Sequence, residues 1–322
     1  MGGRMNKHSP CAELFKRSPK NPLLTVRQWP YCANAVFNPG ATIFEKQVLL
    51  LVRVEAMNGF SHLTVVKSKN GETNWTIDTK PSFFPDPKSH PEELWGIEDP
   101  RIVFLEELKE YAIVYTSFSK GGPLVSLAFT KDFVEFRRQG ILMQPDNKDA
   151  SLFPKRFNNR WALLHRPMPS NPSVGAHIWL SFSPDMKHWG DHQILLEARE
   201  GGWWDANKIG LASQPIETAE GWLLIYHGVR RTASNSLYRV GLALLDLEDP
   251  RRVIRRGTEW VFGPRTQYEQ LGDVPYVTFP SGAVLDSKTK TLKLYYGAAD
   301  SSVCLATAKL RDVLDFLMRE AR

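Results

Sequence analysis

The chain has 322 residues, 42% of them hydrophobic, and its 10 Trp and 17 Phe supply ample material for a core. Lys and Arg number 41 against 35 Asp and Glu, a net charge of +6, a balance that suits nucleic acid, a membrane surface or a small anionic ligand. The longest apolar run, Val48 to Val52, is far too short to span a membrane, and three unevenly spaced cysteines (Cys11, Cys32, Cys304) offer neither a disulfide framework nor a zinc spacing, which fits a reducing cytoplasm.

Met1 to Pro10 is short and polar with no apolar h-region, so no signal peptide is expected. The segment up to about residue 20 is read as an N-terminal extension. Asn38-Pro-Gly-Ala-Thr-Ile-Phe-Glu-Lys-Gln-Val-Leu-Leu-Leu-Val-Arg53 then reads as strand, polar turn, strand. The same shape recurs from Asp99 to Thr116 around the turn Glu106 to Glu110, and from Ala150 to Arg166 around Arg156 to Asn159. It recurs again from Ile209 to His227 around Glu217 to Glu220, and from Phe279 to Asp300 around Asp286 to Thr291. Between copies, Leu124 to Thr130, His177 to Ser183 and Tyr238 to Leu245 supply further strands. Hairpins repeated at roughly 40–70 residues indicate a propeller, and five copies indicate five blades. Leu310 to Arg322 carries Leu310, Val313, Leu314 and Leu317 at helical spacing. The expected fold is therefore all-β: one domain over 1–322, a five-bladed β-propeller with a short C-terminal helix at 308–322. That helix has two roles open to it, contact between copies in a homo-oligomer or packing within the chain.

In a hairpin, the start of the first strand and the end of the second lie together. Five hairpins around an axis thus bring Asn38, Arg53, Asp99, Arg166, His227 and Asp300 to one mouth, with Lys148 and Lys208 close by. Glu98 is expected to face away from Asp99 by strand alternation. Two carboxylates among several cations suit an anion such as phosphate, which Arg and Lys neutralise. Hydrolysis of a glycoside usually needs a second, working carboxylate, whereas phosphate is itself an anionic nucleophile. Trp203, Trp204, Tyr115 and Tyr238 are aromatic candidates for stacking on sugar rings. Taken singly, Asp99-Pro-Arg101 reads as a capped turn, Lys208 and His227 as rim residues, and Trp203-Trp204 as core. The run Arg251, Arg252, Arg255, Arg256 reads as a solvated loop, and no contiguous basic face for nucleic acid is evident.

The blocks Phe37-Asn-Pro-Gly-Ala41, Gly96-Ile-Glu-Asp-Pro-Arg101, Lys148-Asp-Ala-Ser-Leu-Phe-Pro154, Leu164-His-Arg-Pro167, Trp203-Trp-Asp-Ala-Asn-Lys-Ile-Gly210, Gly221-Trp-Leu-Leu-Ile-Tyr-His-Gly228 and Tyr295-Tyr-Gly-Ala-Ala-Asp300 resemble glycoside hydrolase family 130, the β-mannoside phosphorylases and their relatives. The resemblance implies a five-bladed propeller and the inverting phosphorolysis of β-mannosides to α-mannose 1-phosphate. It implies Asp99 as the catalytic acid, acting through the 3-hydroxyl of the bound mannosyl unit. Lys148, Arg166, Lys208 and His227 fall at its phosphate-binding positions, and Asn38, Arg53, Tyr238 and Asp300 at its sugar-binding positions. Its partners are a mannoside and inorganic phosphate as co-substrate, with no metal, organic cofactor, nucleic acid or membrane. The alternatives are a β-mannosidase using water and a non-catalytic carbohydrate-binding propeller.

Overall fold

The computed structural model describes residues 13–171, 174–233 and 235–319. Five separate antiparallel sheets follow one another along the chain. Blade 1 is Ala35–Phe44, Gln47–Glu55, Ser61–Ser68 and Thr76–Ile77; blade 2 is Ile97–Leu105, Glu110–Ser119, Gly122–Thr130 and Arg137–Met143. Blade 3 is Asn147–Leu152, Trp161–Pro167, Ile178–Ser183 and Gly190–Leu196. Blade 4 is Lys208–Leu211, Trp222–Arg231, Ser236–Leu245 and Val253–Arg256, with Ile216–Glu217 as an added short strand. Blade 5 is Thr278–Asp286, Thr291–Ala298 and Ser302–Lys309, completed by Lys16–Arg17. The first strand of each blade packs beside that of the next from blade 5 through blade 4, and Ser236–Leu245 meets Thr278–Asp286 to close the circle. This is the five-bladed propeller expected from the repeats.

The near-continuous apolar runs of the inner strands, such as Val48 to Val52 and Trp222 to Tyr226, explain the core. Both faces of each blade are buried, so apolar residues occupy both, and five clusters fill the five gaps between neighbours. Leu49, Leu51, Ile102 and Ile113 join blades 1 and 2, for instance, while Leu50, Val52, Tyr295 and Leu305 join blades 1 and 5. The links from third to fourth strand reuse one turn: Oδ1 of Asp132, of Asp185 and of Asp246 each accepts two backbone N–H bonds from residues just ahead. Such Asx turns replace the ladder bonds lost at a strand end.

Two expectations change at the chain's ends. Lys16 and Arg17, inside the segment read as an extension, pair with Thr307 and Ala306 and form the outer edge of blade 5. Arg17 also bonds both carboxylate oxygens of the buried Glu269, which accepts from Tyr296 as well. The terminal helix spans Leu310–Arg319 rather than starting at 308, because Ala308 and Lys309 are still paired with Leu292 and Thr291. Residues 320–322 lie outside the described residues. Val313, Leu314 and Leu317 bury the helix's apolar face against blades 4 and 5, so that face is used within the chain. Cys32 and Cys304 are free thiols, and Cys11 lies outside the described residues. No helix among the described residues is long and apolar enough to cross a membrane.

Candidate active site

The first strands of blades 1, 2, 3 and 5 each break register at the same place: between Phe37 and Gly40, Glu98 and Arg101, Lys148 and Ser151, and Pro280 and Gly282. These are β-bulges, which bend a strand and re-aim a side chain. In blades 1 to 3 the residue entering the bulge is Asn38, Asp99 or Asp149, with φ of 44°, 48° and 55°. Asn and Asp tolerate this left-handed conformation better than other non-glycine residues. Blade 4 has no such shift; Lys208 opens its first strand, and Gly210 lies opposite His227. A Cβ at Gly210 would sit 2.5 Å from Asp149 Oδ2 and 2.7 Å from His227 Nε2, so only glycine lets these two groups meet.

The bulges ring a cavity of about 330 Å³ whose lining includes Asn38, Arg53, Asp99, Lys148, Arg166, Lys208, His227, Tyr238 and Asp300. The nine residues expected at acid, phosphate and sugar positions thus all line one cavity. Blades 1, 2 and 5 supply its acid half. Asp99 Oδ1 accepts from Asn38 Nδ2 and from Arg53 Nη1, both at 3.0 Å; among the described residues Oδ2 has no protein partner. Arg53 Nε is held by Ser61 at 3.0 Å, and its Nη2 pairs with Glu98 at 3.0 Å. Burial pushes the Asp300 carboxyl up to about 7; the nearby Asp99 and Glu98 charges add to this and Arg53 opposes it.

Blades 3 and 4 supply the cationic half. Asp149 Oδ2 accepts from Arg166 Nη2 at 2.7 Å and Nε at 3.0 Å, lies 3.4 Å from His227 Nε2, and Arg101 approaches Oδ1 at 3.7 Å. The Arg166 and Arg101 guanidinium groups, with the His227 ring, hold the Asp149 carboxyl well below the usual range despite its complete burial. Burial, Arg166 and Lys148 push the Lys208 ammonium down to about 8, with Asp149 opposing. Lys208 and Lys148 have no carboxylate partner among the described residues. Burial lowers the His227 imidazole from its ordinary value, so the ring is largely neutral near pH 7. Tyr238 lies beside Lys208, whose Nζ is 5.3 Å from the ring centroid, and burial raises its phenol to about 12.

A family model described as beta-1,4-mannooligosaccharide phosphorylase matches residues 7–319. The chain belongs to glycoside hydrolase family 130. The beta-1,4-mannooligosaccharide phosphorylase of Ruminococcus albus is 31% identical over 318 residues, 97% of this chain and 93% of its own length. The beta-1,2-mannobiose phosphorylase of Listeria innocua is 36% identical over 280 residues, 84% of this chain and 75% of its own. A solved complex of the Listeria innocua beta-1,2-mannobiose phosphorylase with beta-1,2-mannobiose superposes with a TM-score of 0.85 at 29% identity, covering 95% of this chain and 99% of that one.

The family 130 cavity holds more carboxylate than its sequence suggested. Asp146 and Asp149 line it beside Asp99 and Asp300, so the expectation of only two carboxylates is corrected. Asp149 was legible: it stands one residue before the third repeat as read, at the offset of Asn38 and Asp99. Asp146 lies in a link between blades and had no signal. Glu98 is absent from the cavity lining, as expected, but its carboxylate reaches Arg53 Nη2 at 3.0 Å, so it shares that guanidinium with Asp99 rather than lying wholly apart from it. Arg101 is a buried brace, bonding the Asp99, Leu211 and Ala212 carbonyls. Of the aromatics offered as sugar platforms, Tyr238 lines the cavity. Tyr115 is core and donates to Glu93, Trp204 is core and donates to the Thr258 carbonyl, and Trp203 lines an outer cavity. Phe279, which the sequence reading passed over, lies 4.7 Å from the His227 ring. In the arginine run, Arg251 and Arg252 pair with Asp249 and Asp246, and Arg256 with the buried Asp205.

Proposed function

We propose that this family 130 chain is an inverting β-mannoside phosphorylase, with phosphate in the cationic half and the leaving sugar on the side of Asp99. The observation that carries this is the excess of positive charge at Lys148, Arg166 and Lys208 across the axis from an acid network. Two unpaired ammonium groups beside a buried arginine are costly to hold without a counter-anion, and phosphate is one of matching size and charge. His227 flanks that anion. Asn38, Arg53, Tyr238 and Asp300 hold the hydroxyls of the mannosyl unit.

The proton and electron movements follow from this placement. A phosphate oxygen forms a bond to the anomeric carbon as the bond to the glycosidic oxygen breaks. The electron pair goes to that oxygen, which takes a proton originating at Asp99 and relayed by the sugar 3-hydroxyl. Attack opposite the leaving group turns a β-mannoside into α-mannose 1-phosphate and a shortened acceptor. We read the protein as a cytoplasmic enzyme with no resident cofactor, a reading supported by the free thiols Cys32 and Cys304.

Asp146 favours a second reading, hydrolysis, because it is a cavity carboxylate with no ion-pair partner among the described residues and is suited to activating water. Product analysis separates the two. The phosphorylase makes α-mannose 1-phosphate and depends on phosphate; free mannose released equally with and without phosphate would overturn it. Lys208→Ala is expected to raise the KM for phosphate about tenfold, the value of one charge-assisted hydrogen bond, whereas a hydrolase would be indifferent to it.

A further inference from the structure

Blade 3 turns one face toward blade 2, and Trp161 and Leu163 on that face enter the apolar cluster between the blades. Two residues further along the same strand, alternation calls for another apolar side chain. The position holds His165 instead, 4% exposed. Burial pushes its pKa down to about 3, so the ring is neutral. A neutral imidazole has one N–H and one lone pair, and both are used. Asn147 Nδ2 lies 3.0 Å from His165 Nδ1, His165 Nε2 lies 2.8 Å from Ser181 Oγ, and Ser181 Oγ lies 2.7 Å from His192 Nδ1. Asn147 presents both its amide N–H, at 3.0 Å, and its Oδ1, at 3.3 Å, to Nδ1, so the links are satisfied in either direction; in the one that uses the shorter contact the Asn147 amide donates to Nδ1, Nε2–H donates to Ser181, and the Ser181 hydroxyl donates to His192. The chain runs from the exposed His192 to the buried Asn147.

Asn147 is the residue before Lys148, and the bulge begins at Lys148. The adjoining residues of the opposite strand therefore hold this segment on both sides of that lysine. His165 takes Asn147 and Arg166 takes Asp149, while the Met168 N–H bonds the Asp146 carbonyl at 2.9 Å. A bulge forfeits ladder bonds, and Lys148 has no carboxylate to fix it. The side-chain bonds of its neighbours do that instead.

We propose that His165 is a positioning residue for phosphate: through Asn147 it fixes the bulged strand that presents Lys148 to the anion, with Ser181 and His192 holding the far side of its ring. This rests on the phosphorylase reading above. The test is steady-state phosphorolysis of a β-mannoside by wild type, His165→Phe, His165→Gln and Ser181→Ala, with phosphate and mannoside varied separately. His165→Phe keeps a planar ring and removes both bonds. It is expected to raise the KM for phosphate about tenfold, while the KM for mannoside moves less than about twofold and kcat falls less than the phosphate KM rises. His165→Gln, which retains a donor and an acceptor, should recover most of the loss. Ser181→Ala should shift the same constant in the same direction by less, and it carries the test if His165→Phe does not fold. An unchanged phosphate KM in the folded variants would overturn the proposal. So would a parallel loss in kcat and both KM values, the mark of a general structural role. A wild-type enzyme indifferent to phosphate would instead sink the phosphorylase reading itself.

Discussion

Asp99 and Asp149 occupy the same position in neighbouring blades, each entering a bulge in the first strand with a left-handed backbone. Their surroundings differ sharply. Asp99 shares one oxygen with Asn38 and Arg53 and keeps the other without a partner among the described residues, whereas Asp149 is enclosed by Arg166, His227 and Arg101. The backbone thus delivers a carboxylate to the axis in both blades, and the side chains gathered around it set its surroundings. Arg53 comes from the second strand of blade 1 and engages one Asp99 oxygen. Arg166 comes from the second strand of blade 3 itself and helps hold the Asp149 carboxyl well below its ordinary range.

Replacing each aspartate with asparagine tests this contrast most directly. Asp99→Asn keeps the shape and removes the exchangeable proton, so kcat for phosphorolysis should fall about 10³-fold with little change in unfolding temperature. A loss below about tenfold would remove Asp99 from the role of acid. Asp149→Asn should act mainly on the fold. Taking the anion away leaves Arg166 and Arg101 buried and short of a partner, a loss of about 3 kcal/mol that denaturant titration would register. A change under about 1 kcal/mol would mean that Asp149 is not the anchor of the cationic half. A third test concerns Asp300, whose folded-state pKa near 7 exceeds the carboxyl value of 3.8. A raised carboxyl pKa means the folded state holds the proton more tightly than the unfolded chain. Its contribution to stability is therefore present in acid and lost as pH rises from about 4 to about 7. Thermal melts of Asp300→Asn against wild type should differ across that window and run parallel above it; parallel curves throughout would refute the shift.

The blades were legible because each hairpin carries its own alternation and turn, and the same argument located the mouth. The reading failed where alternation itself fails. At the bulge between Glu98 and Arg101 period-two logic does not hold, and the successive residues Glu98 and Asp99 both reach Arg53; in blade 3 the bulge residue Asp149 stands one position before the copy that begins at Ala150. Lys16–Arg17 was illegible for another reason: a two-residue strand has no period, and its partner lies at the far end of the sequence. Asp146 sits between blades, where no repeat constrains the chain. The Trp203-Trp204 pair shows the limit of composition, since an aromatic suited to sugar is equally suited to a core.

Lys16–Arg17 and Glu269 have a bearing on how the molecule comes into being. Blade 5 needs a strand translated early and three translated late, so the early strand has no docking site until residues beyond 300 have been made. Asp300 stands on a hairpin of that blade. The cavity therefore lacks the wall that carries Asp300 and Phe279 unless blade 5 is whole, and the competence to handle sugar is tied to the joining of the two distant segments.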